Sequence, residues 1–323
     1  MAPTKESAVS TKAGPQQAES AKELITLTID DREIEVPQGS TILDAAKRLG
    51  IDIPTLCYHP DLEPIGSCRI CVVEVEGQKT LVAACAYPVN APMNVKTYTA
   101  KVRRARRHTL ELLLSEHYGE CFFCARNNNC ELQELAAQYG IDVASLGKAE
   151  EPRFKVDDTT PIVRDSNKCI QCFRCLRACR DLQDVCGLAA AGRGNDIEVT
   201  TFMKWPMVDV VCVHCGQCIN RCPTGALTEK DMSDDVWTAI DDPEKHVVIQ
   251  TAPAPRIAIG ECFGLPAGQR VTKKMNTALH RMGFDKVFDT NFTADLTIME
   301  EGTELLVRLR SEERRVGKEC ATG

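Results

Sequence analysis

The chain is poor in aromatic residues: Phe, Trp and Tyr make up 5% of its 323 residues. That leaves too little stacking surface for a single-strand nucleic-acid binder. No stretch approaches the roughly 18–20 apolar residues that a membrane-spanning helix requires. Residues 1–22 are mostly Ala, Ser, Gln, Lys and Glu with no apolar core, so they do not form a secretory signal peptide. Positive charge is not in excess either. The net charge is −7, which disfavours a polyanionic partner. A hydrophobic content of 43% and a charged content of 26% are ordinary. What stands out is cysteine, with eighteen residues. Disulfide staples belong to short exported domains. This chain is longer than one domain's usual length and has no export signal, so its cysteines read as metal ligands in a reducing, cytoplasmic compartment.

The order along the chain is legible. Residues 1–22 read as a disordered tail, being polar and aperiodic. Leu24–Ile29 and Glu33–Pro37 alternate around Asp30-Asp31-Arg32, a hairpin signal. Thr41 and Asp44 have capping-box spacing. Ile42, Ala45, Ala46 and Leu49 make one apolar helix face, and Gly50 stands where the helix should end. Val72–Val75 and Leu81–Ala84 read as later strands. Strand, strand, helix resembles the opening of a β-grasp ferredoxin domain, placed at 23–99. Lys101 to His117 reads as a helix whose basic run is a solvated face. Residues 100–144 form a second small domain and 145–160 a polar linker. Two similar cysteine quartets occupy 161–245. Beyond about Lys245 cysteines almost vanish, Val247–Ile249 looks like a buried strand, and strand and helix patterns alternate to about Leu309, the start of an α/β domain. The fold class expected is α+β.

Fifteen cysteines and one histidine fall into four sets. Cys57, Cys68, Cys71 and Cys85 are spaced C-x10-C-x2-C-x13-C. Four thiolates suit a 2Fe–2S cluster, although the spacing is not the plant type. A four-thiolate zinc site is the alternative, but structural zinc usually takes two short cysteine pairs. His117, Cys121, Cys124 and Cys130 follow H-x3-C-x2-C-x5-C. Zinc accepts that set as well, and only its place between iron–sulfur units favours a 4Fe–4S cluster. His108 lacks such spacing and reads as a surface residue. Cys169, Cys172, Cys175 and Cys179 follow C-x2-C-x2-C-x3-C. Cys212, Cys215, Cys218 and Cys222 repeat it, with Pro223 after the last and Arg180 at the equivalent place in the first run. In the two-cluster bacterial ferredoxin pattern the fourth cysteine of each run ligates the other cluster. One cluster should then take Cys169, Cys172, Cys175 and Cys222, and the other Cys212, Cys215, Cys218 and Cys179. Cys186, Cys262 and Cys320 are left as bystander thiols.

This succession resembles three related groups: the large subunit of NADH:quinone oxidoreductase, NAD-dependent molybdenum formate dehydrogenase, and multi-cluster FeFe-hydrogenase. The discriminating stretches are Val248–Arg256, Met282–Thr290 and Ala294–Leu305, which resemble the opening of the FeFe-hydrogenase H-cluster domain. The resemblance covers about residues 24–309. It implies one 2Fe–2S and three 4Fe–4S clusters. Pro253 and Ala254 would lie near the diiron site, and Glu301, Glu304 and Arg308 on a proton path. On a helix Glu301 and Glu304 share a face, so a salt-bridged surface is the plainer reading of the same residues.

The family's four H-cluster cysteines lie beyond this region. The last stretch, 310–323, does not resemble the family and reads like a translated sequencing adapter, which points to a gene model cut within the H-cluster domain, 246–309. The expected role is the electron-transfer portion of an FeFe-hydrogenase catalytic subunit, inactive in hydrogen chemistry by itself. Its expected partners are an NADH-binding flavoprotein subunit and a small 2Fe–2S subunit, or ferredoxin, with no nucleic acid and no membrane span. The rivals are the quinone oxidoreductase or formate dehydrogenase subunit and, as a non-enzyme, a zinc-stabilised scaffold.

Overall fold

The computed structural model of the chain describes residues 23–119, 121–143 and 151–310. The tail expected over 1–22, residues 145–150 of the expected linker and residues 311–323 of the adapter-like end lie outside the described residues. Two compact units are present, one running to Lys230 and the other starting at Asp231.

The first unit opens with β1 (Leu24–Ile29) and β2 (Arg32–Pro37), antiparallel, with Ile29 opposite Arg32. Ile25, Leu27 and Ile29 point into the core, as period-two alternation requires. Helix α1 (Ile42–Arg48) starts on the Thr41–Asp44 capping box and is followed by Gly50 at φ 69°. A cap of this kind contributes on the order of 1 kcal/mol. Strand β3 (Val72–Val75) matches the sequence reading, whereas β4 is only Val82–Ala83. A fifth strand, β5 (Asn94–Lys96), was not foreseen. It sits mid-sheet, in the order β2-β1-β5-β3-β4, parallel to β1 and antiparallel to β3. The hairpin turn explains how so short a strand is held. Asp30 and Asp31 adopt φ of 45° and 67°, as a type I′ turn demands. Asp30 accepts the Thr97 N–H at 2.8 Å, and Asp31 pairs with Lys96 at 2.6 Å.

Helix α2 (Ala100–Ser115) buries Val102, and packs Leu110 and Leu114 against the first domain and against α3 (Glu131–Gln138). Its basic run is not wholly a solvated face. Arg106 is 2% exposed, because its guanidinium reaches the Val72 carbonyl at 2.8 Å and the Tyr139 hydroxyl at 3.2 Å. The second half of the expected linker is also no free spacer. Asp157 is buried and pairs with Arg164 at 3.3 Å, while accepting the Met207 N–H at 2.9 Å. Strand β6 (Ile162–Arg164) then leads into α4 (Arg174–Arg177), a π-helical turn over Ala178–Leu182, β7 (Ala189–Ala191), β8 (Glu198–Thr200), α5 (Gln217–Arg221) and β9 (Leu227–Glu229). β6 pairs antiparallel with β9, so the two cysteine runs are brought side by side.

The second unit contains α6 (Ser233–Asp241), β10 (Val248–Thr251), α7 (Pro255–Cys262), α8 (Thr272–Met282), β11 (Lys286–Asp289) and α9 (Thr290–Arg310). β10 and β11 pair in parallel. The buried strand expected at Val247–Ile249 is only half-buried, with Val248 52% exposed. A two-stranded ribbon has too few neighbours to cover both of its faces. Along α9, Ile298, Met299, Leu305, Leu306 and Val307 are all exposed. Contiguous exposed apolar area of this kind promotes association. Deleting residues 231–323 is expected to raise the fraction of protein left in the supernatant at matched expression. An unchanged fraction would count against that origin of insolubility.

Candidate metal centres

The first set is assembled by the β-grasp domain. Cys57 follows α1, Cys68 and Cys71 lie on a short loop before β3, and Cys85 follows β4. The loop turns at Gly66 (φ 62°) and Arg69 (φ 59°). All four cysteines are buried. Thiol–thiol hydrogen bonds join Cys57 to Cys68 and Cys85, and Cys71 to Cys85. Those bonds, with the backbone N–H groups of Cys68 and Ser67, hold Cys57 far below the usual thiol range. A bond from Cys85 lowers Cys71 to about 7. Cys68 is pushed up by its bond to Cys57 and by burial, and Cys85 by its bonds to Cys57 and Cys71. The four sulfurs therefore compete for charge in one small buried space, which suits a cationic iron core.

The second set surrounds a cavity. His117, Cys121, Cys124 and Cys130 all line it, together with Arg126, Lys168 and Gly225. His117 is buried just beyond the end of α2, not on the surface. Cys130 sits at the N-cap of α3. Burial raises its thiol, and the charges of Cys124 and Cys121 add to that. His108 is exposed beside Glu111, as read from sequence.

Two cavities each bring together three cysteines of one ferredoxin-like run and the last cysteine of the other. One cavity is lined by Cys169, Cys172, Cys175 and Cys222. Another is lined by Cys212, Cys215, Cys218 and Cys179. Burial raises Cys169 to about 11 and Cys172 and Cys218 to about 12, and it raises Cys175 well above its ordinary value. The charge of Cys222 acts on Cys169, Cys172 and Cys175 alike. Such thiols are neutral at pH 7, so a metal that binds them must displace their protons. The backbone repeats as the sequence does. Gln171 and Phe173 have φ of 53° and 55°, and His214 and Gly216, at the same offsets in the second run, 52° and 72°. Three of these four are not glycine, and each such residue costs about 1–3 kcal/mol. Alternation of this kind turns successive N–H groups inward to form an anion-binding nest. The Gly187 N–H also donates to Cys179 Sγ at 3.2 Å.

The third set touches both of its predecessors. Arg126, from the second set's loop, donates to the Cys222 carbonyl at 3.0 Å. Arg174 holds Glu131 through two bonds, at 2.6 and 2.9 Å. The Glu131 N–H bonds the Pro223 carbonyl. Toward the first set, Ser67 Oγ donates to the Gln171 carbonyl at 3.2 Å, and Arg177 donates to the carbonyls of both Cys57 and Cys172. None of these arginines was foreseen from sequence. An arginine beside a cysteine run looks like surface charge until tertiary packing buries it.

The remaining predicted residues do not gather into a site. Pro253 and Ala254 are exposed at the start of α7. Glu301, Glu304 and Arg308 are exposed along α9, where Glu304 and Arg308 form an ion pair one turn apart. Arg180 is exposed and bonded to Asp181. Cys186 and Cys262 are exposed thiols, and Cys320 lies outside the described residues.

Comparison with known proteins assigns four family models along the chain. Residues 22–100 match a 2Fe–2S iron–sulfur cluster binding domain. Residues 106–144 match the iron–sulfur binding region of NADH-ubiquinone oxidoreductase G, and 160–228 the ferredoxin-like domain of NADH-quinone oxidoreductase subunit 3. Residues 245–318 match the C-terminal domain of the iron-only hydrogenase large subunit. Over these divisions the chain is similar to iron-only hydrogenase large subunits. It is 49% identical to the NADP-reducing hydrogenase subunit HndD of Solidesulfovibrio fructosivorans, over 88% of this chain and 50% of that protein. Iron hydrogenase 1 of Clostridium pasteurianum is 35% identical over the same shares. The chain spans about half the length of these curated hydrogenases. A chain from the crystal structure of NAD+-reducing [NiFe]-hydrogenase in the H2-reduced state is 32% identical, with a TM-score of 0.59, over 64% of this chain and 87% of its own. No described helix is long and apolar enough to cross a membrane.

Proposed function

We propose that the chain is the electron-carrying part of an iron-only hydrogenase catalytic subunit, working in the cytoplasm. Cys57, Cys68, Cys71 and Cys85 would hold a 2Fe–2S cluster. His117 with Cys121, Cys124 and Cys130 would hold a 4Fe–4S cluster, and the two exchanged quartets two more. When bound, each cluster takes up and releases one electron at a time. The observation that carries this reading is the pair of cavities that each draw three cysteines from one run and the fourth from the other. Zinc has no need of that exchange.

The first and second sets both abut the third, and the third shares its ligand exchange with the fourth. Electrons entering at either of the first two would therefore meet at the third. The partners proposed are an NADH-oxidising flavoprotein subunit with a small 2Fe–2S subunit, or a ferredoxin. Hydrogen chemistry is proposed for the whole protein through that similarity to iron-only hydrogenases. The residues here do not suffice for an H-cluster, since only Cys262 and Cys320 lie beyond residue 245. Glu301, Glu304 and Arg308 are kept as a proton path and Pro253 and Ala254 as H-cluster neighbours on the resemblance alone. Membership of the quinone oxidoreductase group is the second reading, favoured by the names of the two middle matches. The match over 245–318 favours the hydrogenase.

Anaerobic purification with metal analysis tests the proposal. About fourteen irons per chain are expected, from one two-iron and three four-iron clusters, with a brown colour and no stoichiometric zinc. A colourless zinc protein would overturn it.

A further inference from the structure

Four arginines among the described residues are buried: Arg106, Arg164, Arg174 and Arg177. A buried cation needs compensating negative charge, or it is strongly unfavourable. Arg164 has it from Asp157 and Glu198, each at 3.3 Å. Arg174 has it from Glu131 at 2.6 Å. Arg177 is 3% exposed, and no carboxylate among the described residues lies within ion-pair distance of it. Asp181, one turn further on, is bonded to Arg180 at 2.5 Å and feels the charge of Arg177 only from beyond ion-pair distance. All the hydrogen bonds of Arg177 go to neutral carbonyls. It donates to Cys57 O at 2.6 Å, to Cys172 O at 3.5 Å, to Phe173 O at 3.3 Å and, by a short bond, to Glu63 O. Arg106 is the other buried arginine with neutral partners. It too lies at the first set, on the carbonyl of the residue after Cys71.

We infer that Arg177 is the shared counter-cation of the 2Fe–2S cluster and the adjoining 4Fe–4S cluster, raising the reduction potential of both. The inference rests on the cluster reading proposed above. A cluster held by four thiolates is a net anion, and it gains a further negative charge on reduction. A fixed cation in a low-dielectric interior favours that reduced state. Arg177 is bonded to the backbone of a ligand from each set, so its charge acts on both. Coulomb terms add, so the one fixed charge favours reduction of each cluster independently. Arg106 would act in the same direction on the first set only.

The test is an EPR-monitored redox titration of the anaerobically purified full chain, as wild type, Arg177→Gln and Arg177→Lys. In Arg177→Gln the reduced-to-oxidised ratio at fixed potential should fall about tenfold, which is 59 mV for a one-electron couple. The fall should appear in the two-iron signal and in one four-iron signal, with the other two four-iron signals unmoved. Arg177→Lys keeps the charge and loses the fork of donors, so both potentials should stay near wild type. Loaded clusters with unmoved potentials in Arg177→Gln would overturn the inference. So would equal shifts in Lys and Gln, since the bonds rather than the charge would then be acting. If Arg177→Gln loses iron, Arg177→Met takes its place: a tenfold fall in the same two signals supports the inference and unmoved potentials overturn it. Absence of any cluster signal in wild type would instead overturn the cluster reading itself.

Discussion

Replacing Cys179 with Ala is expected to strip the cluster held by Cys212, Cys215 and Cys218, and to leave the cluster of its own run in place. Cys179 lines the cavity of the second run, while Cys222 completes the first. Iron should fall from about fourteen to about ten per chain, the loss of one four-iron cluster. Paired substitutions separate this from ligation within each run. Cys179→Ala with Cys215→Ala removes two ligands of one site, so about ten irons should remain. Cys179→Ala with Cys172→Ala damages two sites, so about six should remain. Ligation within each run gives the opposite order. One spare thiol is close by: the Cys186 N–H bonds the Cys179 carbonyl at 3.4 Å, and Cys186 is exposed. Adding Cys186→Ala to each variant removes that substitute ligand. Metal analysis with EPR reads the outcome.

Gly225→Ala is expected to cost the histidine-ligated cluster, although residue 225 is no ligand. A Cβ at this position would lie 2.7 Å from Cys124 Sγ and 3.5 Å from Lys168 Cδ. The first distance is too short for any real contact, and the atom in the way is a predicted ligand at the wall of its own cavity. The backbone at Gly225 is not left-handed, so alanine introduces a clash there without backbone strain. Cys124 must move, and ligation of a metal tolerates little displacement. Iron should drop by about four, with one four-iron EPR signal lost and the two-iron signal kept. A fully loaded Gly225→Ala protein would show that the second set does not pack against the third as described.

Much of this was legible in the sequence because it rests on local rules. The β1–β2 hairpin follows from alternation, and α1 from Thr41, Asp44 and Gly50. Spacing grouped the cysteines, and the mixed lining of the last two cavities accords with a known pattern. What was not legible depends on partners distant in sequence. β5 is three residues long with a single inward valine, Val95, so it has no periodicity to read. It is a strand because β1 and β3 flank it. Arg106 was taken for surface charge because only the Val72 carbonyl and Tyr139, both remote in sequence, make its burial tolerable. Gln171, Phe173 and His214 carry no mark of their left-handed backbone. Turn rules look for glycine or asparagine there. The strand near residue 248 read as buried from its Val-Val-Ile composition, which cannot count neighbouring strands.

The place of β5 also bears on how fast the first set could lose its metal. Cys57, Cys68, Cys71 and Cys85 all lie in the span between β1 and β5, whose parallel pairing ties Thr28 to Asn94 and Ile29 to Val95. The whole ligand-bearing segment is thus one large loop with a narrow clasp. While the clasp holds, no single ligand can swing far from the others. Once it opens, the β3–β4 and β3–β5 pairings remain as the constraints on the segment. Loss of metal from this set should therefore follow the opening rate of that strand pair, with the steep temperature dependence of an unfolding step, and depend little on chelator strength once chelator is in excess.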